Sequence, residues 1–153
     1  VIGVWLTLWQ VVKARKASEA TKRAIDSTVN TLSAINHLSC TEQLCSRSRD
    51  VMHLISSRNI TSAAIAAFEL RESLAKHPMF KTDARGYLPE FWDTLEKDIM
   101  NIHEALESAV TIKKLDSELR ESLVLSVSSI HMLLSELAGK LNREVGKENA
   151  YSK

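Results

Sequence analysis

Apolar residues recur at three- and four-residue steps along almost the whole chain, the spacing of one face of an α-helix. Ala14, Ala17, Ala24, Ile25, Val29, Leu32 and Ile35 predict a first helix over Ile2–Asn36. The pattern pauses over Asn36–Thr41. Thr41 is then the expected cap of a helix over Glu42–Ser57, with Leu44, Val51, Leu54 and Ile55 inward. Ser56-Ser57-Arg58-Asn59 reads as a turn, because Ser and Asn compete for backbone hydrogen bonds. A helix over Ile60–Lys76 follows, facing inward through Ile60, Ala64, Ala67, Phe68 and Leu74. Its pairing with the preceding short helix has the texture of a tetratricopeptide unit, but no second copy appears at that period.

The longest break is His77 to Pro89. Pro78 disfavours helix at His77, and Asp83-Ala84-Arg85-Gly86 is the best turn signal in the chain. Pro89 fits the first turn of the next helix, Pro89–Val110, and Glu90 suits its positive end. There Trp92, Leu95, Ile99, Ile102, Leu106 and Val110 form a heptad-like seam. A hinge is expected over Ile112–Leu115, and Asp116 is placed to cap a last helix over Ser117–Val145. Leu119, Leu123, Val127, Ile130, Leu134, Leu137 and Leu141 line one face of it. Gly146 reads as the stop. The expected fold is all-α: a four- to five-helix antiparallel bundle whose long N-terminal helix extends from it. Residues 1–12 form the end of an anchor, 13–146 the bundle domain and 147–153 a frayed polar tail.

Composition supports this picture. The 153 residues hold 4 Gly and 2 Pro, too few turn formers for a many-stranded sheet. A net charge of +1 exerts no global pull on nucleic acid. Two cysteines make no disulfide framework and fit a reducing compartment.

The N-terminal stretch changes the functional picture most. Val1–Val12 is apolar and carries Trp5 and Trp9 four residues apart; Lys13, Arg15 and Lys16 follow at once. Tryptophan favours the bilayer interface, and Lys/Arg enrichment marks the cytoplasmic flank. A dozen residues span ~18 Å against a hydrocarbon core of ~30 Å, so the stretch reads as the last turns of a span or as an interfacial stub. The competing reading makes it the first helix of an ordinary cytoplasmic bundle, with the tryptophans as core. Ala14, Ala17 and Ala24 would allow close approach of a second helix.

Leu6-Thr7-Leu8-Trp9-Gln10, followed by Lys13-Ala14-Arg15-Lys16-Ala17-Ser18-Glu19-Ala20, resembles the junction in a group of uncharacterised bacterial proteins. These have one N-terminal membrane helix and a cytosolic all-helical domain. The resemblance covers about the first 35 residues and is compositional. It implies a domain tethered at the cytoplasmic face of the inner membrane and carries over no catalytic residue.

Chemistry is thinner. Arg47–His53 and Arg71–His77 each enclose five residues, a spacing similar to the Arg-x4–6-His motif of HEPN-type ribonucleases. There a cationic Arg steadies phosphate and His moves a proton. The layout also loosely resembles small membrane accessory proteins of RNA-targeting CRISPR systems, which implies a role in antiviral defence. Five His and nine Arg give about one such match by chance, and Ser48 and Glu72 stand where active members often carry Asn, Asp or His. The bland alternative is solvated helix faces, with His77 a helix-end cation.

His37, Cys40 and Cys45 make a His-x2-Cys-x4-Cys cluster, one ligand short of a structural zinc site unless His53 folds back onto it. The competing reading puts Cys45 half-buried beside Leu44 and Cys40 in a turn. His103 has no repeated Glu-x-x-His partner and is expected at the surface. Asn59-Ile60-Thr61 matches a glycosylation acceptor, outside any secretory context. No cofactor motif is present.

The sequence thus favours a non-enzymatic, membrane-tethered helical bundle that acts through protein contacts, with itself or with another helical protein. The rivals are a defence-associated, HEPN-like RNA-binding or RNA-cleaving effector, and an oligomeric pore lined from Thr7 and Gln10.

Overall fold

The computed structural model describes residues 2–80 and 89–151, with side chains over 9–80, 90–147 and at 150. It is all-helical, and no strand occurs among the described residues. The helices are α1 (Ile2–Ser56), α2 (Ile60–Ala75), α3 (Pro89–Ile112) and α4 (Ser117–Tyr151). α1 packs most extensively on α4 and also on α2; α2 packs on α3, and α3 meets α4 over a smaller area.

Each helix turns a heptad-spaced row inward. The rows are Leu44, Val51 and Ile55 on α1, and Ala63, Ala67, Leu70 and Leu74 on α2. On α3 and α4 they are Trp92, Leu95, Ile99, Ile102 and Leu106, and Leu123, Val127, Ile130, Leu134, Leu137 and Leu141. Removing the Leu, Ile and Val side chains of these rows from water stabilises the fold by about 1.5–3 kcal/mol each.

Two expected boundaries are wrong. The pause over Asn36–Thr41 is no break: α1 runs through it for 55 residues. Thr41 caps nothing. Its hydroxyl is spent on the His37 carbonyl one turn back, at 2.7 Å, and the side chain is fully buried. Gly146 does not stop α4, which continues to Tyr151. A lone glycine inside a helix costs about 1 kcal/mol and breaks nothing by itself. Leu119 and Phe68, expected inward, are exposed.

The real helix ends lie elsewhere. Arg58 and Lys113 take the left-handed conformation, with φ of 62° and 56°. Asn59 N donates to Leu54 O at 3.0 Å and Arg58 N to Ile55 O at 3.1 Å. Lys114 N to Ala109 O and Lys113 N to Val110 O, both 3.2 Å, repeat the arrangement. This is a Schellman closure built without glycine. The next helices start on side-chain caps: Asn59 Oδ1 accepts from Ser62 N at 3.3 Å, and Asp116 Oδ1 from Leu119 N at 2.7 Å.

By length and composition one helix among the described residues could cross a membrane, Ser117–Lys147 of α4. Its heptad row is buried against the other helices, and 28% of its apolar window is buried in all.

Candidate functional site

α1 carries nearly every polar candidate, so its faces decide what each can do. Its buried row, at 41, 44, 48, 51 and 55, has two polar members, Thr41 and Ser48. Each sits where a leucine would fit, and each meets a histidine from a distant part of the chain.

Thr41 meets His77, which follows α2 and is 2% exposed. The Met79 amide donates to His77 Nδ1 at 3.1 Å. Nε2 therefore carries the ring proton and donates to Thr41 Oγ1, 2.9 Å away. The ring lies against Trp92 at a centroid distance of 5.1 Å. Burial, aided by the nearby His37, lowers the His77 pKa from 6.5 to about 4. His77 is thus neutral, with both nitrogens engaged, and ties the α2 exit to α1 and α3. It is not the helix-end cation expected from the sequence. Arg71, its proposed partner, is half-buried on α2.

Ser48 meets His131 of α4, with Oγ to Nδ1 at 2.9 Å. The distance is that of a nucleophile and its base, but the proton polarity is reversed. Ser48 Oγ lies 2.8 Å from the Cys45 carbonyl, which only accepts, so the serine proton is committed there. His131 Nδ1 lies 3.2 Å from the same carbonyl and must also donate. Nε2 is left to accept from Ser135 at 3.5 Å. No base faces Ser48, so the group works as a polar clasp between α1 and α4. Burial raises the Cys45 thiol pKa, keeping it protonated and unreactive. Sequence reasoning missed this clasp. Its one trace was a serine on the apolar heptad row between Leu44 and Val51.

The remaining candidates lie elsewhere on the helices. Arg47 pairs with Glu69 of α2 at 2.8 Å. His53 is exposed, beside Asp50, Ile65 and Glu69 in a shallow groove between α1 and α2. His37, Cys40 and Cys45 lie on one continuous helix, and no group of three metal-binding side chains occurs among the described residues. Cys40 is in α1 rather than in a turn, and Cys45 is buried. His103, expected at the surface, is buried: Nε2 contacts Glu107 at 3.2 Å and the ring stacks with Phe68 at 5.6 Å. Trp92, Leu95, Ile99, Ile102 and Leu106 are core residues within the chain, so their seam is spent on internal packing.

The N-terminal part of α1 is different. Every described residue from 9 to 30 is exposed, and Ala34 is the first to be buried. Trp9 is 61% exposed, and Lys13 Nζ lies 5.0 Å from its ring centroid, a cation–π contact. Arg15 pairs with Glu19 at 3.5 Å; Lys16, Ala14, Ala17 and Ala24 are exposed. The Trp5 side chain lies outside the described residues.

No family model, curated protein or solved structure matches this chain.

Proposed function

We propose that the chain is a non-enzymatic helical bundle, tethered to a membrane by its N-terminal helix and working through protein–protein contacts. On this reading α2–α4 and the second half of α1 form an antiparallel four-helix body. The first half of α1 is a stalk extending from it, with the cationic end of the stalk at the cytoplasmic face of a bacterial inner membrane. The observation that carries the reading is the exposure of Trp9, Val11 and Val12 directly before Lys13, Arg15 and Lys16. Solvating that apolar and aromatic surface is unfavourable, and an interfacial site relieves it while the cations meet anionic headgroups. The buried, neutral His77 and the reversed Ser48–His131 contact supply no general base, which favours binding over catalysis.

Co-flotation of the full chain with vesicles of phosphatidylethanolamine and phosphatidylglycerol tests the reading. Flotation is expected, and Trp9→Ala combined with Lys13→Glu and Lys16→Glu should reduce it at least tenfold. A full chain that stays in the soluble fraction, with or without vesicles, defeats the tether.

A further inference from the structure

The stalk face between Ala14 and Ile35 has a regular structure of its own. Ala14, Ser18, Thr21, Ile25, Thr28, Leu32 and Ile35 alternate steps of four and three. Ile25, Leu32 and Ile35 are 56%, 60% and 45% exposed, and Val29 at the stripe's edge is 57% exposed. At 3.6 residues per turn, this stripe lies about 150° around α1 from the row that enters the core at Thr41, Leu44 and Ser48. One helix therefore buries one side in its own bundle and presents nearly the opposite side to solvent.

We propose that this stripe is the seam of a parallel, in-register coiled coil with a second copy of the chain. The inference rests on the protein-contact reading above and names its partner. Three observations select that occupant. A strict 3-4 alternation has the 3.5-residue period that keeps a seam facing another helix. A lipid-facing stripe needs no such period and would not carry Ser18 and Thr21 at its centre. The threonines are prepared for burial: Thr21 donates to Ala17 O at 2.9 Å and Thr28 to Ala24 O at 2.8 Å, so their hydroxyls require no outside partner. Finally, the residues flanking the stripe are compatible across a parallel pair. Gln10 meets the other copy's Arg15, Ala17 meets the stem of Lys22, Ala24 meets Val29 and Thr31 meets Asn36, with no like charges opposed. The parallel direction also brings both Lys13–Lys16 ends to the same side, as a shared membrane requires.

Light scattering coupled to size exclusion, on the full chain at about 100 µM, reads the association. A mass about twice the chain's 17.1 kDa is expected. Ile25→Asp with Leu32→Asp should return the mass of one chain while leaving the bundle's thermal transition in place. Orientation is read by oxidising Thr28→Cys in a Cys40→Ser/Cys45→Ala background. Position 28 should cross-link to itself, whereas Arg23→Cys, on the far side of α1, should not. A wild-type chain of single mass overturns the proposal, as does a double mass untouched by the aspartates. A dimer without the position-28 cross-link overturns its register. A chain that is monomeric but loses vesicle binding in the Ile25→Asp/Leu32→Asp variant assigns the stripe to lipid and also overturns it. A wild-type chain of single mass that still floats leaves the tether standing alone, so the two readings fail separately.

Discussion

His77 makes the stability of this fold depend on pH in a predictable direction. In the folded chain its pKa falls from 6.5 to about 4. Between those values the unfolded chain binds a proton that the folded chain does not, so stability falls as pH falls. The contribution is complete above pH 6.5 and exhausted at about pH 4. At about 1.4 kcal/mol per unit, the lowering amounts to roughly 3 kcal/mol. The structure supplies the cause. A protonated Nδ1 would turn a donor towards the Met79 amide, which donates to that same atom. The charge would also sit in a 2% exposed site against Trp92, with His37 close by. No carboxylate appears among the groups that shift it.

The measurement is urea unfolding of wild type and His77→Asn at half-unit steps from pH 7.5 to 4. Asn keeps an oxygen where Nδ1 stands, able to accept from Met79 N in an Asx-type turn, but it does not titrate and loses Thr41 and Trp92. The variant should be less stable by about 1–3 kcal/mol near neutrality. That difference should shrink by roughly 3 kcal/mol as pH falls to 4, reaching zero or changing sign. Carboxylates titrating at the low end act on both proteins and cancel. Two curves running parallel from pH 7.5 to 4 would refute the buried, neutral histidine.

The remaining expectations concern the helix ends and the surface. Asp116→Ala removes the cap of α4 and should cost about 1 kcal/mol in thermal or urea unfolding. Lys113→Gly should stabilise by about 0.5–1 kcal/mol, since lysine is held at a φ of 56° where glycine is unstrained; a loss of stability there would contradict the closure described. Arg47→Ala breaks an ion pair whose side chains are 41% and 54% exposed, and should change unfolding by less than about 1 kcal/mol.

What the sequence disclosed and what it hid follow one physical divide. The three breaks between helices were legible because each shows locally: Ser-Ser-Arg-Asn before Ile60, Pro78 and Pro89 around the longest one, and Asp116 as a cap. The continuity of α1 was not legible. Asn36, His37, Ser39 and Thr41 read as a pause, since polar residues compete for the backbone when solvated. In the fold Thr41 is buried and its hydroxyl is satisfied inside the helix, so tertiary burial overrides local preference. The site was hidden for a related reason. Ser48 and His131 lie 83 residues apart, and no local spacing joins them. The spacings that were visible, Arg47–His53 and His37–Cys40–Cys45, run along one helix, where Arg47 pairs with Glu69 and no three metal-binding side chains gather among the described residues.

The two halves of α1 treat polarity in opposite ways. Past Ala34, Thr41 and Ser48 occupy heptad positions and hydrogen-bond inward to His77 and His131. Replacing Thr41 by leucine would strand the buried His77 Nε2, a loss of about 1–3 kcal/mol, whereas His131 Nδ1 would keep the Cys45 carbonyl if Ser48 were replaced. These pairs therefore select one register of α1 against α4 and the α2 exit, at some expense in apolar burial. Before Ala34 the logic inverts: Ile25, Val29 and Leu32 face solvent, with no cover among the described residues. Most helical stability in proteins comes from packing an apolar face rather than from propensity. On the proposed reading the stalk takes its cover from outside its own chain. In the two proposals its ends take different cover: the Trp9 end, with its cations, a membrane surface, and the 3-4 stripe from Ala14 to Ile35 another helix.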